Sequence, residues 1–371
     1  MDFALDDDQI TFQQVMRDFL AERSPESAVR AQMADPAGYD RALWEQMSSQ
    51  LGLPGTAIPE EYGGSGFSFL ELGLVLEEMG RALTVSPFFA SAVMAAQLLL
   101  ALDDESARKE YLPAIASGQA IASVALAEDS GSWRPEDVSA RAAGRDGSWR
   151  IDGHKSFVVD GAVADLLLVI ARVDSGVAVF AVAADAEGLG REPLPTMDQT
   201  RKQARLTFES TPGRLLGTVA GAPAAISAML DRSAIALAAD ALGGTGKVLE
   251  MSVEYAKIRE QFGRPIGSFQ AIKHKCASML VDLESSRSAV YYALWAASAG
   301  QPDTSIVAPL AKAFCVDAYL SAAGENIQIH GGIGFTWEHP AHLYLKRAKS
   351  SQLLLGSSDF HRQQLADRIG I

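Results

Sequence analysis

The residue pattern predicts an α+β protein built in three consecutive stretches, helical, then β, then helical. Three features carry that expectation. Near the N-terminus apolar residues recur mostly at three- and four-residue steps, the spacing of one helix face. In the middle, short β-prone runs alternate with Gly and Asp turns. After about residue 223 long amphipathic stretches return.

The first stretch runs from Leu5 to about Gly118. Ile10, Val15, Met16, Phe19 and Leu20 define its opening helix, and Arg41 to Leu51 and Phe69 to Arg81 repeat the signature. Leu51 to Gly66 is a Gly/Pro-rich connection, and Phe88 to Leu102 is an alanine-rich helix. From about Ala120 to Thr218 the expected strands are Ser139 to Ala143, Trp149 to Asp152, Leu166 to Arg172, Val177 to Ala183 and Ala204 to Phe208. Turns such as Arg145-Asp146-Gly147 and Asp152-Gly153 separate them, so this part reads as a small barrel or sandwich. The last stretch holds four long helices: Ser233 to Arg259, Ser268 to Ser298, Ser305 to His330 and Pro340 to Gln352. Ser268 is a good N-cap candidate, and Gly331-Gly332-Ile333-Gly334 ends the third helix. The expected boundaries are 1–118, 119–220 and 221–371.

Of the 371 residues 48% are hydrophobic and 21% charged, enough for a sizeable core. A net charge of -14 argues against nucleic acid or an anionic membrane as partner. It leaves room for a phosphorylated cofactor held by local basic groups and backbone N–H donors. Cys276 and Cys315 fit no metal spacing and read as buried thiols. The N-terminus is acidic where a secretion signal is basic. No apolar run is expected to span a bilayer, so a cytoplasmic protein is expected.

The most specific string is Tyr255-Ala-Lys-Ile-Arg-Glu-Gln-Phe-Gly-Arg-Pro-Ile-Gly-Ser-Phe-Gln270, a helix, a loop with Gly263, Pro265 and Gly267, and a second helix. Arg259 alone would be explained by the helix dipole. The whole string resembles the helix–loop–helix signature of acyl-CoA dehydrogenases. Gln328-Ile-His-Gly-Gly-Ile-Gly-Phe335 could be a glycine helix stop, or a backbone brought close to a phosphate. It resembles the Gln-x-x-Gly-Gly-x-Gly motif of the same family. Ile58 to Gly66 resembles a mainly structural loop there.

The resemblance covers nearly the whole chain. It implies an N-terminal helical domain, a middle β-barrel and a C-terminal four-helix bundle, in a dimer of dimers with FAD at a subunit interface. It also implies an acyl-CoA substrate and an electron-transfer flavoprotein-like acceptor. The side of the flavin site lent to a neighbouring subunit maps onto Arg259, Gln261, Phe262, Gln270, Gln328, Gly331 and Gly332, all of them kept. Arg259 would meet the pyrophosphate and the glutamines polar edges.

The chemistry implied is α,β-desaturation of an acyl thioester, with a carboxylate taking the α-proton while a hydride leaves for the flavin. The family's base falls on Leu355 in Leu353-Leu-Leu-Gly-Ser-Ser358, and leucine takes no proton. A branch of the family puts the base at the start of the helix before the Arg259 motif. That position is Ser233, with Asp231 and Asp240 as possible displaced bases. Asp231 reads first as a helix-start acid favoured by the dipole. The near side of the flavin is altered too. In Val124 to Ser132 the Thr that bonds the ring is Ala127. In Phe157-Val-Val-Asp160 the aromatic wall stays as Phe157, but the hydroxyl near N5 is lost at Val159.

A kept half-site for a neighbour beside an eroded half-site of its own resembles the base-less subunit of a bacterial α2β2 acyl-CoA dehydrogenase. Such pairs often act on bulky thioesters, steroid side chains among them. No catalytic residue is therefore assigned. The alternatives are a homomeric dehydrogenase using Asp231, a flavin monooxygenase of the same fold, and an interaction protein without flavin. His330 is expected to pack at a helix end. Trp337, Glu338 and His339 are expected at the surface or an interface, and Lys346-Arg347 facing solvent or a partner. Arg134 is a weak candidate for CoA phosphate.

Overall fold

A computed structural model describes residues 5–145 and 147–371. The first four residues of the acidic start, and Asp146 of the expected turn, lie outside the described residues. Helix α1 (Asp7–Arg23) opens on a capping box in which the Asp6 carboxylate accepts from the Gln9 N–H and the Gln9 side chain accepts from the Asp6 N–H. Then come α2 (Glu26–Ala34), α3 (Arg41–Glu45), α4 (Phe69–Ala82), α5 (Ala96–Ala101) and α6 (Glu105–Ala116). The strands are β1 (Ala122–Ala125), β2 (Arg141–Arg145), β3 (Ser148–Val159), β4 (Leu166–Val173), β5 (Gly176–Ala183), β6 (Leu189–Pro193) and β7 (Gln203–Leu216). Helix α7 (Ala222–Ile258) follows. A short hairpin of β8 (Glu260–Gln261) and β9 (Arg264–Pro265) leads to α8 (Gln270–Ser298), α9 (Thr304–His330), α10 (Ala341–Leu353) and α11 (Ser358–Ile369).

The middle region is a closed barrel. Its ring runs β4–β2–β3–β7–β5 and returns to β4, with β1 added parallel to β4 and β6 antiparallel to β7. Closure needs bent strands. The β3–β7 pair supplies them through register shifts between Ile151 and Gly153 and between Lys155 and Val158. Strands β4 and β5 are buried along nearly their whole length and form the barrel's core.

The described chain divides into two compact units, Met1–Arg30 with Phe69–Thr84 and Ala234–Ile371, and Ala31–Ser68 with Val85–Ser233. In the first unit, buried carboxylates are matched with cations. On α4, Glu78 accepts a two-pronged contact from Arg17 of α1, at 2.7 and 2.9 Å. Its neighbour Glu77 accepts from the Tyr291 hydroxyl at 3.0 Å, with Arg287 at 3.5 Å. Arg347 of α10, buried, donates to Asp240 of α7 at 3.0 Å. The same unit holds a cleft of about 430 Å³ lined by Arg17, Glu78, Arg81, Lys247 and Tyr344. Its cations already hold carboxylates, Arg81 and Lys247 sharing Glu250.

Burial pushes the Glu77 carboxyl up to about 7, against the opposing pull of Arg287. A carboxyl raised in the fold binds more protons folded than unfolded between its ordinary pKa and 7. Stability from this group therefore falls as pH rises from about 4.5 to 7, by up to about 3 kcal/mol. The Glu77→Gln variant should lack that slope. Thermal melts of both proteins between pH 5 and 8 check it, the wild type losing ground to the variant as pH rises.

Several expectations need correction. Helix α7 begins at Ala222, about three turns before Ser233, so Asp231 is not a helix-start acid. Ser268 does not cap α8. Phe269 occupies the cap position, and the Ser268 hydroxyl donates to the Pro265 carbonyl. Arg259 lies just past the end of α7, although its N–H still bonds the Tyr255 carbonyl at 2.9 Å. Arg347 faces Asp240 and not solvent. Cys315 is buried, its thiol pushed up by burial to about 12, but Cys276 is only half-buried. Thr304–Phe335, which contains α9, is long and apolar enough to cross a membrane by length and composition, contrary to expectation. Its most apolar window is 67% buried inside the protein, as a core helix is. Strands β1 and β6 and helix α11 were not anticipated.

Candidate functional site

At one end of the first unit, the rings of Tyr255 on α7 and His330 on α9 stack with centroids 4.3 Å apart. That contact brings the two motif-bearing helix ends together. His330 is buried, its Nδ1 on the Asn326 carbonyl at 2.8 Å and its ring against His339, so it packs at the helix end as expected. Burial also lowers its pKa.

The seven residues expected to hold a neighbour's cofactor, Arg259, Gln261, Phe262, Gln270, Gln328, Gly331 and Gly332, are all exposed. Phe262 and Gly263 form the tip of the β8–β9 hairpin, both with positive φ (54° and 74°), as a tight hairpin turn requires. The Phe262 ring is 92% exposed and meets Phe269 edge-on, while the Arg264 guanidinium lies over Phe269 at 4.2 Å. Gly331 has φ 64°, and a Cβ on Gly331 or Gly332 would meet nothing within 4 Å. The backbone there is open to close approach. An exposed guanidinium, exposed amides and bare backbone suit the phosphates and polar edges of a dinucleotide.

The second unit carries Ala127, Phe157 and Val159, the residues expected on the near side of a flavin. Glu128 pairs with the buried Lys155 at 2.8 Å, and the Lys155 ammonium also donates to the Leu126 carbonyl. Burial alone would raise the Glu128 pKa, but the Ala140 N–H, Lys155 and the Ser139 hydroxyl hold it down to about 2. This pair fixes the segment containing Ala127 against β3. Ala127 and Val159 are fully buried and apolar. The Val159 carbonyl is taken by the Ser123 hydroxyl at 2.6 Å. Phe157, at φ 59° in the β3 bulge, is half exposed. Asp129 accepts from Ser156 and Arg205, and His154 Nε2 lies 3.1 Å from it. The ring edge of a flavin finds no side-chain hydrogen bond at Ala127 or Val159, so these residues fit the cofactor less well than the exposed residues of the first unit do. Arg134 lies 3.5 Å from Glu136 on the surface.

Leu355 is 2% exposed at φ 62° in the turn between α10 and α11. The turn is clamped. The buried Lys312 ammonium donates to the Gln352 and Gly356 carbonyls, and His361 Nε2 lies 3.0 Å from the Leu355 carbonyl. Burial, with Lys312 nearby, drives the His361 pKa down to about 3, so it stays neutral. Ser233 is buried with its hydroxyl toward the Met229 sulfur, and Asp240 is engaged by Arg347. Asp231 is half-buried in the third turn of α7. Sequence reasoning missed Glu77 and Glu78, two adjacent acids on a helix whose other face is apolar. Among the described residues no cluster of His, Cys, Asp and Glu could hold a metal.

A helical N-terminal region, a closed barrel and a C-terminal set of long helices define the acyl-CoA dehydrogenase fold, a class of flavoprotein oxidoreductases acting on acyl-CoA. The chain belongs to the acyl-CoA dehydrogenase family: the N-terminal, middle and C-terminal domains of that family match residues 6–119, 123–211 and 220–370. It is 35% identical over 350 residues to acyl-CoA dehydrogenase IpdE2 of Mycobacterium tuberculosis, covering 91% of this chain and 90% of that one. Among solved structures it is similar to a variant of the Tcur3481–Tcur3483 steroid acyl-CoA dehydrogenase, with TM-score 0.89, 31% identity, and 98% and 97% of the two chains covered. It is also similar to the ChsE4–ChsE5 complex from Mycobacterium tuberculosis, with TM-score 0.90, 28% identity, and 100% and 99% covered.

Proposed function

We propose that this chain is the base-less subunit of a heteromeric acyl-CoA dehydrogenase, completing the FAD site of a related chain that carries the carboxylate. The observation that carries the proposal is Leu355. The family's base position holds a buried apolar side chain, and Ser233 and Asp240 are engaged elsewhere. Bound FAD supplies the hydride acceptor. This chain's part is to hold it. Arg259 offers charge to the pyrophosphate, Gln261, Gln270 and Gln328 offer amides, Phe262 offers a ring face, and Gly331 and Gly332 let the cofactor reach bare backbone. Similarity to two-chain enzymes, one of them a steroid acyl-CoA dehydrogenase by description, supports the pairing and a bulky thioester as substrate. Similarity to a structure described as an electron-transferring flavoprotein supports an acceptor of that kind.

Asp231 sustains one competing reading, a homomeric enzyme with a displaced base, because its half-buried place in mid-helix has no capping role. Flavin stoichiometry separates the two. Co-expressed with its sister chain, the protein should carry one flavin per two chains, and alone almost none. One flavin per chain in the protein purified alone would overturn the proposal.

A further inference from the structure

Beyond the lent half-site, the same end of the first unit carries a cationic and aromatic cluster. The Arg30 guanidinium lies over the Trp337 ring at 5.5 Å, and the Lys346 ammonium sits 4.7 Å from the centroid of that ring. His342 stacks on Trp337 at 4.7 Å. Glu26 takes only the Nε of Arg30, at 2.7 Å. Nη1 and Nη2 of Arg30 are buried without a hydrogen-bond partner among the described residues, and so is Nε2 of His342, a side chain nine-tenths buried. A buried unmatched donor is costly, and a fork of two on one guanidinium matches the two oxygens of a carboxylate. In the segment that carries Trp337, large apolar side chains stand in solvent: Ile333, Phe335 at 80% and Trp337 itself at 57%. A face this apolar is ordinarily covered by another chain.

We infer that Arg30, His342 and Trp337 form a docking socket for an acidic side chain of the sister subunit, opened when Trp337 shifts aside. The inference rests on the proposed pairing and adds what the partner must present. The socket is cationic on a chain of net charge -14. A carboxylate arriving with the partner gives the two Nη donors their acceptor, and the exposed Phe335 and Ile333 are covered in the same step. Assembly thereby supplies what the isolated chain lacks.

The test is Arg30→Met, which keeps an apolar stem and removes the fork. Two quantities are read, the thermal midpoint of the chain alone and its Kd for the sister chain. Removing unmatched donors should leave the midpoint unchanged or raise it. Losing a buried charge contact should raise Kd by at least about thirtyfold and flatten its dependence on salt. A lowered midpoint with unchanged Kd would overturn the inference, since Arg30 would then serve the fold alone. His342→Gln, which keeps a donor, should weaken assembly less than His342→Leu. If inorganic phosphate raises the wild-type midpoint and Arg30→Met abolishes that rise, the socket takes a phosphate and the carboxylate is wrong. The wild-type mixture is the control. A flavin-loaded complex insensitive to Arg30→Met sinks only this inference, whereas absence of any complex sinks the reading beneath it.

Discussion

Replacing Arg347 with alanine is expected to cost about 3–5 kcal/mol of stability, the loss seen when one partner of a buried ion pair is removed. Both side chains are about 95% buried and 3.0 Å apart, so the carboxylate of Asp240 would be left without its cation in a low-dielectric interior. Chemical denaturation of the lone chain measures it. The double variant Asp240→Asn with Arg347→Met should recover much of the loss, because no charge is then stranded. A loss of under about 1 kcal/mol for Arg347→Ala would mean that Asp240 is not committed to this pair. Asp240 would then return as a candidate base.

The second large effect concerns flavin. Arg259→Ala should strip the mixed complex of FAD while leaving this chain folded, because Arg259 is exposed and lies beyond the end of α7. A charge-assisted contact to a phosphate is worth about 1.5–3 kcal/mol, roughly ten- to a hundredfold in retention. Visible absorbance after gel filtration reads the flavin, and circular dichroism reads the fold. Full occupancy in the variant would remove Arg259 from the site.

The helices that position the site were legible because they are long and periodic. The ends of α8, α9 and α10 fall within two residues of the expected ones. Other elements gave no such signal. Strand β1, Ala-Ser-Val-Ala, is too short and small-chained to stand out, and β6 contains Gly190, Glu192 and Pro193, residues that disfavour strands. Helix α11 buries only Ser358 and His361 and has no apolar stripe. Pairing across the chain is invisible to local patterns. Arg347 looked solvent-facing beside Lys346 because its partner Asp240 lies 107 residues away. Within the candidate site, the residues assigned by motif could be named from sequence. The unmatched donors of Arg30 and the clamp of Lys312 and His361 on the Leu355 turn depend on packing and could not.

In the proposed function this chain lends a flavin half-site and has no base. The most direct measurement is anaerobic addition of acyl-CoA to the chain purified alone and to the co-purified pair, watching the flavin absorbance bleach. Bleaching is expected in the pair and none in the lone chain. Bleaching by the lone chain would contradict the proposed function and would assign the proton transfer to a residue of this chain, Asp231 first.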